Sequence, residues 1–251
     1  MAYGTKRGAR KGEVTILGKK QEKNQLLTAG IAFLIVTSCI GLALVPALIK
    51  EAPWSHSPST VGHVLIGALY AAVCFLGILA VFFPTRCRGT FQRTQGPQSQ
   101  VSADSHAIGI EGHHPNCQSF SGNRIKIGSW AFCAACSGLL VGAIIALAGS
   151  ELYFFGGLSA GLGSVWLVVL GESLMLLGLA QIRFVGYGKV VLNAVFVVGS
   201  AITLVETDML SASSLLDLYV LGLIVLLLWL RILLSEWNNR RVCLICGSCF
   251  Q

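Results

Sequence analysis

The sequence predicts an all-α bundle of six transmembrane helices, with both termini cytoplasmic and a small cytoplasmic cap rich in cysteine and histidine. Three observations carry this reading. Hydrophobic residues make up 54% of the chain against 12% charged, six apolar runs are each long enough to cross a bilayer, and the basic residues segregate into alternate loops. A water-soluble fold with a mean hydropathy of +0.73 would have too little polar surface to cover itself.

A helix crosses the hydrocarbon core with about 20 apolar residues. Runs of this kind occur at Leu26–Ile49, Thr60–Phe83, Ala131–Gly149, Tyr153–Leu179, Lys189–Glu206 and Leu215–Leu234. The first is too long for the core of a cleavable signal peptide and follows a long polar, basic extension, so it is expected to remain as a helix. Loops that stay in the cytoplasm retain Lys and Arg. In a six-span layout Lys6, Arg7, Arg10, Lys11, Lys19, Lys20 and Lys23 precede the first span, and Arg86, Arg88, Arg93, Arg124 and Lys126 lie between the second and third. Arg183 and Lys189 flank the next inner link, and Arg231, Arg240 and Arg241 sit at or beyond the end of the sixth span. Only Lys50 falls on the other side, with Glu51, Glu151, Glu206, Asp208 and Asp217. A five-span or seven-span layout would break this pattern. The formal charge of +7 therefore marks membrane topology, and no nucleic-acid motif accompanies it.

Between the spans, residues 1–25 read as a flexible basic arm near an anionic leaflet. Residues 84–130 form the one long soluble segment, with a polar linker at Arg93–Ser105, and residues 236–251 form a cysteine-rich tail. No internal repeat stands out, so an inverted-repeat transporter has no direct support.

Cysteine and histidine concentrate on the side assigned to the cytoplasm. Cys39 and Cys74 are flanked by apolar residues in mid-span and read as small hydrophobes. Cys87, Cys117, Cys133, Cys136, Cys243, Cys246 and Cys249 all map inside, where a reducing compartment favours metal ligands or redox groups over disulfides. His113 and His114 precede Cys117, and Cys133-Ala-Ala-Cys136 opens the third span. One histidine with three cysteines is the donor set of a tetrahedral structural zinc site. The two-residue gap lets both sulfurs converge on one ion. A helix start presents free N–H groups that favour thiolate, and Ser129 is placed to cap that helix. In the tail, Cys243, Cys246 and Cys249 repeat the same gap in the form of a zinc knuckle, or of three ligands to a cubane iron–sulfur cluster.

Three assemblies follow. His113 or His114 with Cys117, Cys133 and Cys136 closes one zinc site while the tail forms another with Cys87 or a spare histidine. Alternatively, Cys133/Cys136 and Cys243/Cys246 share one ion and clamp the third span to the sixth. In the third, the tail holds an iron–sulfur cluster. Unliganded thiols and surface histidines are the bland alternative.

The stretch His113–Gly142, HHPNCQSFSGNRIKIGSWAFCAACSGLLVG, resembles a family of uncharacterised prokaryotic multi-pass membrane proteins. In that family a Cys/His segment, a Ser-Phe pair and a short strand-like stretch precede a Cys-Ala-x-Cys-Ser/Thr-Gly helix start. Cys117, Ser119, Phe120, Cys133, Ala134, Cys136, Ser137 and Gly138 match. Ala135 stands where Arg is common, and the His113-His114 pair and the cysteine-rich tail are additions. The resemblance implies a metal site in a membrane domain and no particular activity.

Ionisable groups inside a span are costly and so are functional candidates. Glu172 is the foremost, expected in the cytoplasmic half of the fourth span where it faces Asn193 or approaches Arg183. Its roles would be proton or cation handling or, more blandly, a helix–helix hydrogen bond. Glu206 and Asp208 are expected near enough to the opposite surface to be solvated, and His56 and His63 too isolated to share the cysteines' ion. Gly138, Gly142, Gly157, Gly161, Gly163, Gly171 and Gly178 are expected to permit close helix packing, and Trp54, Trp130 and Trp237 to mark the membrane interfaces.

The expected function is an accessory or scaffolding subunit of the plasma membrane, stabilised by zinc and offering a surface to partner subunits in the bilayer. The alternatives are a membrane oxidoreductase or metal-dependent enzyme with an iron–sulfur or catalytic metal site, and a transporter using Glu172. No serine–histidine–acid arrangement or phosphate-binding loop is present to favour another chemistry.

Overall fold

The computed structural model describes residues 6–51, 60–82, 110–111, 114–115, 122–127, 130–157 and 163–246. Its helices are α1 (Lys6–Glu51), α2 (Thr60–Phe82), α3 (Ala134–Phe154), α4 (Val165–Leu179), α5 (Gly186–Ser211) and α6 (Ser214–Cys246). A 3₁₀ turn, Ala180–Arg183, prolongs α4. Each of the six helices contains a stretch long and apolar enough to cross a membrane. The outward side chains agree, since Phe33, Leu76, Ile145, Leu177, Val191 and Ile232 are all exposed, a surface suited to lipid. This is the architecture of a multi-pass membrane protein.

The span limits differ from the sequence expectation in instructive places. Tyr153 and Phe154 close α3 rather than opening α4, which begins at Val165. Apolar character runs on through this link, so hydropathy alone could not locate the break, whereas Gly157 takes the left-handed conformation (φ 66°) that ends the helix. At the other boundary, Ala131–Cys133 belongs to a strand and α3 starts at Ala134. The basic amino-terminal segment is helical from Lys6 onward, because most of its residues are good helix formers and it contains no proline. The tail is likewise helical as far as Cys246.

The most buried span is α5, held between α3 and α4 by glycine contacts. A Cβ on Gly138 would lie 2.7 Å from the Asn193 Cβ, and one on Gly171 would lie 2.8 Å from the Gly199 carbonyl oxygen. Gly142 and Gly178 meet α5 in the same way, which bears out the packing role read from the sequence. Gly157 has open space beside it and Gly163 only ordinary contact; Gly161 lies outside the described residues.

Around this three-helix unit α6 packs against α5, α1 against α6, and α2 against α3. The shared apolar core includes Val45, Tyr70, Met175, Phe196, Leu204 and Leu227. Two short antiparallel ladders precede α3. They are β1 (Ile110–Glu111) with β2 (His114–Pro115), and β3 (Arg124–Ile127) with β4 (Trp130–Cys133). The second pairs Arg124 with Cys133 and Ile127 with Trp130, and its chain runs directly into α3.

Candidate functional site

Two polar clusters occupy opposite ends of the bundle, and the first is built on the start of α3. Cys133 ends β4 and is the N-cap residue of α3, with no side-chain capping bond. The N-cap position is thus Cys133 and is not capped by a side chain; Ser129, expected there, lies outside the described residues. One turn later Cys136 is hydrogen-bonded to Cys133 through the thiols, and the two are unbridged. The two-residue spacing brings the two thiols together, because residues three apart at a helix start share one face.

Cations surround the pair. Arg231 of α6 is buried and lies within electrostatic reach of both sulfurs. Its Nε donates to Asn193 Oδ1 at 2.8 Å, and its Nη2 donates to Gln181 Oε1 at 3.2 Å and also to Asn193 Oδ1. Asn193 in turn donates to the Lys189 carbonyl at 2.6 Å. Lys189, also buried, donates its Nζ to Asn123 Oδ1 at 2.7 Å and faces Cys133. Asn123 adjoins β3, so this bond docks the β3–β4 hairpin on the start of α5, where Gly122 also approaches Val185. Among the described residues no carboxylate acts on Arg231 or Lys189. The charged or ionisable neighbours they have are each other and the sulfurs of Cys133 and Cys136. Two buried cations without an acid carry a large desolvation cost, and anionic sulfur is the complement at hand.

The remaining expected ligands are placed differently. His114 lies in β2 opposite Glu111, while His113, Cys117 and Cys249 lie outside the described residues, as does Cys87. Cys243 and Cys246 fall in the last turn of α6, in helical rather than knuckle backbone. Since α6 is continuous, Cys243 stands about 18 Å along the axis beyond Arg231 at 1.5 Å per residue. Arg231 acts on Cys133 and Cys136, while the side chains of Cys243 and Cys246, on which the clamp to those two cysteines depends, lie outside the described ones. Among the described residues no three Cys, His, Asp or Glu side chains converge on a point.

Glu172 also departs from expectation. It lies nearer the Val165 end of α4 than the Arg183 end, and Asn193 is taken by Arg231 instead. Arg183 is exposed on the cysteine end of the bundle. Glu172 is buried at 7% exposure, and its Oε1 makes no hydrogen bond among the described residues.

At the end away from the cysteines, Glu206 and Asp208 are not solvated as the sequence reading had them; each is 5% exposed. Glu206 accepts from the Ser164 amide at 3.1 Å, and Asp208 binds His63 of α2 and Tyr153 of α3. Separations of 145 and 55 residues left no local signal for these pairs. Between the two ends, Ser200, Thr203, Thr207 and Ser211 line the buried face of α5, each hydroxyl returned to a carbonyl of its own helix. Tyr70 of α2 also meets Ser200 at 2.9 Å. Of the tryptophans read as interface markers, Trp237 packs on the core beneath the Arg241 guanidinium, while Trp54 and the Trp130 side chain lie outside what is described; Trp166, not among them, is exposed at the start of α4.

No protein-family model, no curated protein and no solved structure matches this chain. Two adjacent thiols at a helix start, beside two cations without acids, can hold a soft metal ion or exchange electrons as a dithiol.

Proposed function

We propose that this chain is an integral membrane protein with both termini in the cytoplasm and a structural zinc site at its cytoplasmic end, serving as an accessory or scaffolding subunit. Cys133 and Cys136 supply two ligands; Cys117 and His113 or His114, carried on the segment that feeds the β3–β4 hairpin, supply the others. The observation that carries the reading is the convergence of two thiols under Arg231 and Lys189, cations with no acid among the described residues. A zinc ion with three thiolates and one imidazole bears net negative charge, and these cations offset it. The likeness of His113–Gly142 to a membrane family with the same Cys/His pattern is consistent with this assignment. So is the orientation, because the arm, the loop before α3 and the end of α6 bring nearly all the basic residues to the side of Cys133.

Elemental analysis of the anaerobically purified protein tests it. One zinc per chain is expected, lost in Cys117→Ser, Cys133→Ser and Cys136→Ser and retained in Cys249→Ser. Iron with acid-labile sulfide, or zinc content indifferent to Cys133 and Cys136, overturns the assignment.

A second reading rests on the thiol–thiol hydrogen bond itself. In a membrane oxidoreductase the dithiol would give two electrons and two protons to an acceptor such as a quinone and close a Cys133–Cys136 disulfide. Reversible disulfide formation between these residues at a physiological potential, in protein purified without metal, would select this reading over zinc.

A further inference from the structure

The end of the bundle away from Cys133 gathers ionisable groups from α2, α3, α5 and α6. Asp208 Oδ2 lies 2.8 Å from His63 Nδ1 and accepts the Tyr153 hydroxyl at 2.7 Å. The side chain of Asp217, near the start of α6, lies against that of Asp208. A carboxylate offers only acceptors, so two buried carboxyl groups in contact can join through a hydrogen bond only when one of them keeps a proton. The pair is sealed from solvent, with Asp208 5% and Asp217 1% exposed, while His63 is 24% exposed. Asp217 Oδ1 is buried with no hydrogen-bond partner among the described residues. An ionised Asp217 would leave that oxygen charged and unsolvated, which is the costliest state for a buried acid.

The surrounding charges do not relieve it. From α5, Glu206 acts on the same Tyr153 hydroxyl as Asp208 and Asp217 do. The α4 start contributes the Ser164 amide, which Glu206 takes. On α3, Glu151 lies toward Cys74 instead, and α1 ends in Lys50 and Glu51, both exposed. Among the described residues, three buried carboxyl groups thus act on the Tyr153 hydroxyl, and one of them, Asp208, meets an imidazole. A metal ion is a poor occupant, since among the described residues no three acidic, histidine or cysteine side chains surround a common point.

We propose that the Asp208–Asp217 pair is a proton-binding site, holding one proton between the two carboxyl groups in the folded protein at neutral pH, with His63 as its partly exposed neighbour. Nothing in the zinc reading requires this site, and the two stand or fall separately. Deprotonation would set two buried negative charges against each other across the α5–α6 contact, so proton release is coupled to separation of those helix ends.

Infrared spectroscopy of the full chain in lipid nanodiscs at neutral pH reads protonated carboxyl groups directly. Asp217→Asn keeps a donor toward Asp208 but removes the shared proton. It is expected to abolish one protonated-carboxyl band that Glu206→Gln leaves in place, and Glu172→Gln identifies any separate band from that residue. Above about pH 4, where free carboxyls are ionised, a proton kept only by the folded state makes stability fall with rising pH. The folded-to-unfolded ratio of the wild type should then drop about tenfold per pH unit until the pair ionises, and Asp217→Asn should lack that component. A band unaffected by Asp217→Asn overturns the proposal. So does a band that appears only when sodium is replaced by choline, which would give the site to a metal cation.

Discussion

Replacing Arg231 with methionine tests whether the cysteine end carries negative charge. Methionine keeps much of the volume and removes the guanidinium, which leaves Asn193 Oδ1 and Gln181 Oε1, on residues 0% and 1% exposed, without their donor. Orphaning a buried acceptor costs roughly 1–3 kcal/mol, and relief from burying the guanidinium offsets part of this. The amides alone therefore set the expected loss at about 1–2 kcal/mol. If the Cys133 and Cys136 sulfurs are anionic, the substitution also strips them of a counter-ion, and breaking a buried pair from one side costs about 3–5 kcal/mol. A double-mutant cycle separates the two contributions. Arg231→Met is measured in the wild type and in a Cys133→Ser/Cys136→Ser background, by denaturant titration of detergent-solubilised protein followed by circular dichroism. The larger cost is expected only with the cysteines present, giving a coupling of about 1–3 kcal/mol. Additivity within about 0.5 kcal/mol would show that the sulfurs and Arg231 do not share charge, and would remove the electrostatic argument for a thiolate centre.

Two further outcomes follow from the packing. Gly138→Ala places a methyl 2.7 Å from the Asn193 Cβ and should destabilise by about 1–3 kcal/mol. Gly149→Ala meets nothing within 4 Å and should gain about 0.5–1 kcal/mol; thermal melts that rank the two the other way would refute the α3–α5 contact. Glu172→Leu removes a buried carboxyl whose Oε1 has no partner and should stabilise by about 1–3 kcal/mol. A fall in melting temperature would mean that Glu172 has a partner in the folded protein.

The spans were legible because a bilayer leaves the backbone few options, so a long apolar run has one dominant reading. Their ends were less so, as at Tyr153, where apolar residues continue through the α3–α4 link and only backbone geometry marks the stop. The Cys133–Cys136 convergence was legible from local spacing at a helix start. Arg231 and Lys189 were visible only as topological markers; that they turn inward onto the sulfurs depends on how α3, α5 and α6 meet, which no local pattern encodes. The same limit hid the group of His63, Tyr153, Asp208 and Asp217. It also misassigned Asn193, whose amide oxygen goes to the strongest donor within reach and not to Glu172.

The glycine contacts that bring α5 against α3 and α4 have a mechanical corollary. Backbones seated that closely cannot slide without parting altogether, so those three helices must travel as one piece. A movement of α6 and its companion α1 against that unit would run along the line where α6 meets α5. Both polar groups straddle that line, Arg231 facing Asn193 at one extremity and Asp217 facing Asp208 at the other. A rocking motion therefore opens one fastening while the other serves as pivot.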